Sequence, residues 1–155
     1  MIKPMVLTSE ELQKRLRVEL ERAERYVRPI SFARMIFDGE PEGSSEVLGL
    51  ARSAIEESLK SSCRRSDIAG KYGADEYAII LPETDATGAF AVAERMRANA
   101  AETDLAGAQI TVSAGVACYP QHTGSAKDLH KEAEKALKIA RSSGNRVCGP
   151  LLDEM

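Results

Sequence analysis

The stretch from Asp67 to Leu81 constrains the fold of this chain more than any other. Two short runs, Asp67-Ile-Ala-Gly-Lys-Tyr72 and Tyr77-Ala-Ile-Ile-Leu81, are rich in strand-forming residues and are separated by Gly73-Ala74-Asp75-Glu76. A hairpin-sized gap containing Gly between two such runs predicts an antiparallel β-hairpin. A hairpin alone is not stable in water, so both strands need neighbours and both faces need cover.

The flanking sequence supplies them. Thr8-Ser-Glu-Glu precedes Leu12, Leu16, Leu20, Ala23 and Val27 at helical spacing, which predicts a capped amphipathic helix. Ile30 to Phe37 is mostly apolar and reads as a largely buried strand, broken by Asp38-Gly39-Glu40-Pro41-Glu42-Gly43. A second helix is expected from about Ser44, with Val47, Leu50, Ala51, Ala54, Ile55 and Ser58 inward, and a third from Thr87 to Ala101 with Phe90, Ala93 and Met96 inward. Gln109 to Tyr119 reads as a strand. Ser125 caps a last helix carrying Leu129, Ala133, Leu137 and Ala140, which Gly144 ends before a short strand at Arg146 to Cys148. Helices alternating with strands that include a hairpin predict an α/β (α+β) fold, a ferredoxin-like mixed sheet flanked by helices.

Composition bounds the function. The 155 residues suit one domain, taken as 1–155 with a core from about 8 to 148, and 43% hydrophobic with 29% charged residues excludes a disordered chain. The 21 basic against 24 acidic residues give a net charge of −3, so no positive field recruits nucleic acid. Gly107, Pro120 and Gly124 interrupt the uncharged stretch from Leu105 to Ala126, so no membrane span is expected, and Met1 to Met5 shows no signal-peptide pattern. Cytoplasmic localisation follows as the expectation. Cys63, Cys118 and Cys148 have no C-x-x-C spacing and read as reduced, buried thiols, while His122 and His130 read as surface residues.

Three segments in order, Arg64 to Pro82, Ile110-Thr-Val-Ser-Ala-Gly115-Val-Ala, and Ala133-Glu-Lys-Ala-Leu137-Lys-Ile-Ala140-Arg141, resemble the GGDEF family, the diguanylate cyclases. The resemblance runs from roughly Leu12 to Val147 and implies the nucleotidyl-cyclase-like fold. Active members of that family join two GTP into cyclic di-GMP across an antiparallel pair of domains, using a glycine hairpin against phosphate and carboxylates on divalent metal.

Measured against that pattern, the chain departs at several places. The signature reads Gly73-Ala74-Asp75-Glu76-Tyr77 where the family has Gly-Gly-Asp-Glu-Phe, and Ala74 puts a Cβ where backbone would approach phosphate. Asp75 matches the metal-binding acid, with a polar hairpin residue as the alternative. Counting from Pro29, the family's first-strand Asp-x-Asp falls on Ile36-Phe37-Asp38, so an apolar residue stands at the metal ligand; a slipped register would make Asp38 the first acid and Glu40 the third. The guanine-recognition stretch has no counterpart between Gly39 and Val47. At the end of the last helix Arg141 retains a cation, and the phosphate Arg is absent or displaced to Arg146, although both arginines also suit a helix C-terminus. Of the family's N-terminal Leu-Thr-Gly-Leu-Pro-Asn-Arg turn only Leu7-Thr8 remains.

The element that matches is Arg64-Arg65-Ser66-Asp67, which has the Arg-x-x-Asp spacing of the family's inhibitory product site, nine residues ahead of Gly73. A guanidinium fork and a carboxylate suit guanine and phosphate, Arg95 or Arg97 could add a cation, and a polar turn entering a strand is the alternative reading. The resulting expectation is a degenerate, catalytically silent GGDEF domain that binds cyclic di-GMP at Arg64 and Asp67 as a regulatory module. It needs no cofactor. The rival readings are an active cyclase, which would require magnesium and weak metal candidates at Asp38 and Asp75, and a ligand-free domain that binds another signalling protein; a homodimer is a further candidate partner.

Overall fold

The structure, a computed structural model, describes residues 6–38, 45–73, 76–103 and 110–149. In chain order these form β1 (Val6–Leu7), α1 (Ser9–Tyr26), β2 (Ile30–Phe37), α2 (Ser45–Ser62), β3 (Ile68–Lys71), β4 (Glu76–Pro82), α3 (Ala86–Glu102), β5 (Val112–Tyr119), α4 (Leu129–Ser143) and β6 (Val147–Cys148). The strands make one mixed sheet in the order β1-β3-β4-β2-β5-β6. β1 runs parallel to β3 and β6 parallel to β5, and the four between are antiparallel.

Side chains cap the starts of α1, α3 and the turn that leads into α4, while Val27, expected in the stripe of α1, is its exposed left-handed C-cap. Thr8 caps α1 through a full capping box, its Oγ1 accepting from Glu11 N–H at 3.2 Å and Glu11 accepting from Thr8 N–H at 2.9 Å. Such a cap stabilises a helix by ~1 kcal/mol. Asp85 caps α3 by accepting from Gly88 N–H, and Ser125 caps a short 3-10 turn, Ala126–Asp128, that leads into α4.

The sheet's period of two sends alternate residues of β2 to opposite faces, and a separate core covers each. Ala33, Met35 and Phe37 pack with Ile55, Leu59, Val92 and Met96 of α2 and α3. Ile30 and Phe32 pack with Leu12 and Leu16 of α1 and with Leu129 and Ala133 of α4. Gly115 of β5 is where α4 lies closest. A Cβ there would fall 2.2 Å from the Ala133 carbonyl oxygen and 2.3 Å from Leu137 N, so only glycine lets that helix seat.

Several expectations need correcting. Leu50 and Phe90 are exposed, not inward, and Leu59 and Val92 take the buried positions of their helices. The fifth strand begins at Val112; Gln109 lies outside the described residues and Ile110 and Thr111 precede the ladder. His122 is not a plain surface residue, because its Nδ1 accepts from Cys118 N–H at 2.9 Å and burial pushes its pKa down. Cys118 and Cys148 are buried, with Cys63 partly so. None of the described helices is long and apolar enough to cross a membrane.

Candidate functional site

The hairpin joins β3 and β4 beside the middle of the sheet, with Tyr72 N–H donating to the Glu76 carbonyl at 2.8 Å. Gly73 has φ +119° and open space around it, so its need for glycine is conformational. Ala74 and Asp75 lie outside the described residues. Glu76 is the first residue of β4, opposite Ile36 of β2, which in turn is opposite Ser113 of β5. Ile36, not Asp38, therefore stands beside the second acid of the hairpin.

Asp38 is engaged elsewhere. One carboxylate oxygen accepts from Ser113 Oγ at 2.6 Å, and the other accepts from Thr111 Oγ1 and from Asn145 N–H, each at 2.7 Å. It ties the end of β2 to the start of β5 and to the turn after α4, where Gly144 and Asn145 both have positive φ. Arg141 and Arg146 are exposed at that same helix end, and Arg146 Nη1 donates to Ser143 Oγ at 3.4 Å.

The sequence reading passed over the cation that holds Glu76. Arg34 lies mid-strand in β2, donates from Nε to Glu76 Oε2 at 2.6 Å and from Nη1 to Glu134 of α4 at 3.1 Å, and stacks 4.7 Å above the Tyr72 ring. Its side chain is 10% exposed and that of Glu76 16%. A charged residue between Ala33 and Met35 in a mostly apolar strand was the signal available. Tyr77, the aromatic of the signature, is buried against Phe37 while its hydroxyl donates to Glu56 of α2 at 2.8 Å, a bond a phenylalanine could not make.

The neighbour of Glu76 is a hydrocarbon, Glu76 already binds a guanidinium, and both oxygens of Asp38 are taken. Among the described residues no group of three or more His, Cys, Asp or Glu is placed to hold a metal ion.

At the other end of β3 lies the corner between α2 and that strand. Asp67 accepts from Arg64 N–H at 2.8 Å, from Arg64 Nε at 3.3 Å and from Arg64 Nη2 at 3.2 Å, and Arg64 Nη2 also donates to Thr84 Oγ1. The Asp67 side chain is fully buried, whereas that of Arg64 is 54% exposed. Arg95 on α3 approaches the same corner and donates to the Ser62 carbonyl at 3.2 Å, which satisfies a terminal carbonyl of α2. Burial, with help from the Asp67 carboxylate, pushes the Cys63 thiol up to about 12. Arg97 points away from this corner, pairing with Glu94 at 2.6 Å and donating to Asn145 at 2.8 Å.

Residues 52–146 match the family described as diguanylate cyclase, GGDEF domain. The chain belongs to the GGDEF family. It is 37% identical over 94 residues to diguanylate cyclase A of Treponema denticola, a match covering 57% of this chain and 25% of that protein. The chain thus spans about a quarter of the length of that relative. Among solved structures it resembles the active GGEEF domain of a diguanylate cyclase from Vibrio cholerae, at TM-score 0.83 and 23% identity over 94% of this chain and 97% of that one. It also resembles the GGDEF domain of DgcB from Caulobacter crescentus, solved in complex with c-di-GMP, at TM-score 0.77 and 20% identity over 93% and 91% of the two chains. The GGDEF fold expected from the sequence is the fold observed, and the chain is related to proteins of cyclic di-GMP signalling.

Proposed function

We propose that this GGDEF domain is degenerate and catalytically silent at its hairpin and serves as a regulatory module that reads cyclic di-GMP at Arg64 and Asp67. The observation that carries the reading is the register at the acid end, where Ile36 faces Glu76 and the Glu76 carboxylate is bound to Arg34. Losing one well-placed electrostatic group can cost ~10²–10³ in rate, and Ala74, the missing guanine stretch and a phosphate Arg absent or displaced compound that loss.

The corner at Arg64 supports the second half of the proposal. Asp67, buried and accepting three bonds, holds Arg64 by its backbone N–H and by one edge of its guanidinium, and the half-exposed side chain leaves that head group within reach of a ligand's guanine or phosphate. The complex formed by the related DgcB domain shows that such a fold can take the dinucleotide. Full burial of the Asp67 carboxylate favours a second reading, a ligand-free protein-interaction domain in which this corner is only a turn.

Two experiments test these readings. Product chromatography after incubation with GTP and Mg²⁺ or Mn²⁺ is expected to show no cyclic di-GMP, and turnover abolished by Asp75→Ala would establish the enzyme reading instead. Calorimetry with cyclic di-GMP is expected to show saturable heat, and its absence would leave the interaction reading ahead.

A further inference from the structure

Arg34 occupies a slot that its neighbours leave for it. Across the sheet it faces Ala78 on β4 and Gly115 on β5, two of the smallest side chains available, with α4 closing over them. The guanidinium in this slot gathers three elements: Glu76 at the start of β4, Glu134 on α4, and the Tyr72 ring just past β3. A cation at this depth is costly to desolvate unless its partners are fixed around it, and here they are. Burial alone would lower its pKa, but the bonds to Glu76 and Glu134 outweigh that and hold the group charged.

We infer that Arg34 is a built-in cation that replaces a divalent metal at the acid end of the sheet, joining hairpin to α4 and excluding Mg²⁺ or Mn²⁺ from Glu76. A metal ion there would have to displace a 2.6 Å ion pair and then sit beside the displaced positive charge in a poorly screened environment. The inference rests on the silent-site reading but is separable from it, since a domain without turnover could still bind metal.

The experiment is a titration of the whole chain with Mn²⁺, without nucleotide, followed by the electron paramagnetic resonance of the free ion. The wild type is expected to leave the signal undiminished. Ile36→Asp, which adds a carboxylate beside Glu76, is also expected to bind no Mn²⁺ while Arg34 remains. Ile36→Asp with Arg34→Leu is expected to gain affinity on the order of a hundredfold or more, lost again on Glu76→Gln. Mn²⁺ uptake by the wild type or by Ile36→Asp alone, dependent on Glu76, would overturn the inference. So would a folded double variant that binds no better. Mn²⁺ uptake in either arm that retains Arg34 overturns the inference even if Arg34→Leu fails to fold. GTP turnover would count against the functional reading, whereas metal uptake without nucleotide bears on Arg34 alone.

Discussion

The two ends of the hairpin sheet each hold a guanidinium on a carboxylate, yet they are built in opposite ways. At the acid end the arginine is the buried partner in the middle of a strand, and its carboxylates come from residues 42 and 100 positions away. At the α2–β3 corner the carboxylate is the buried partner, and its arginine is three residues away with most of its head in solvent. The first pair is mostly buried by tertiary structure. The second has a buried acceptor and a half-exposed donor. Which partner is buried thus decides whether an ion pair works as a fastener or can be lent to a ligand.

The largest expected effect comes from breaking the closed pair. Arg34→Leu strands Glu76 in a mostly buried setting and should cost about 3 kcal/mol in urea unfolding, because removing one partner leaves an uncompensated charge. A loss below that of an exposed pair would show the guanidinium to be replaceable by hydrocarbon. Arg64→Ala is its counterpart: it leaves the fully buried Asp67 carboxylate with only the backbone N–H of residue 64, so stability should fall by about 1–3 kcal/mol. Its affinity for cyclic di-GMP should also fall about ten- to a hundredfold, as hydrogen bonds from a charged group are lost.

A third expectation sharpens the contrast through chemistry at the corner. With its pKa near 12, the Cys63 thiol should react slowly with iodoacetamide and show no inflection in rate across neutral to mildly alkaline pH. An inflection near the ordinary thiol value, read by mass spectrometry of the Cys63 peptide, would mean that the corner opens in solution.

The smallest effect is on acid stability. The Arg34 guanidinium holds the Glu134 carboxyl below its usual range, with Lys138 and His130 adding weakly. A depressed carboxylate contributes stability above its unfolded value near 4.5 and loses it as pH falls through the folded value. Glu134→Gln should therefore remove a small part of the acid-side slope of the melting temperature and leave the neutral plateau nearly unchanged. An equal change at all pH values would exclude a titrating Glu134.

Much of this architecture was legible in the sequence because two periods dominate it. The spacing of Leu12, Leu16 and Ala23, the capping signal at Thr8 and the strand-rich runs around Gly73 each follow from local rules, and the observed elements fall within a residue or two of them. What failed was choice of face. Leu50 and Phe90 fit a helical stripe by hydrophobicity but lie on the exposed sides of α2 and α3, since hydrophobicity alone does not bury a residue. β1 went unseen because two residues carry no period; only pairing with β3 makes them a strand.

Less of the candidate site was legible, because its contacts are non-local. Arg64 and Asp67 could be read as a pair since they lie three residues apart. The partners of Asp38 lie 73, 75 and 107 residues away, so the sequence left open whether its carboxylate was free for metal. Arg34 was visible as a charge in an apolar strand, but its meaning depends on Glu134 folding back over Gly115. Spacing cannot reveal that a cation and two acids meet under a helix.

The central claim, that one end of the sheet is closed while the other reads a ligand, is tested most directly by isothermal calorimetry with cyclic di-GMP on the wild type, Arg64→Ala and Glu134→Gln. The account predicts saturable heat in the wild type, weakened in Arg64→Ala and unchanged in Glu134→Gln. No heat in the wild type, or equal binding by Arg64→Ala, would contradict it.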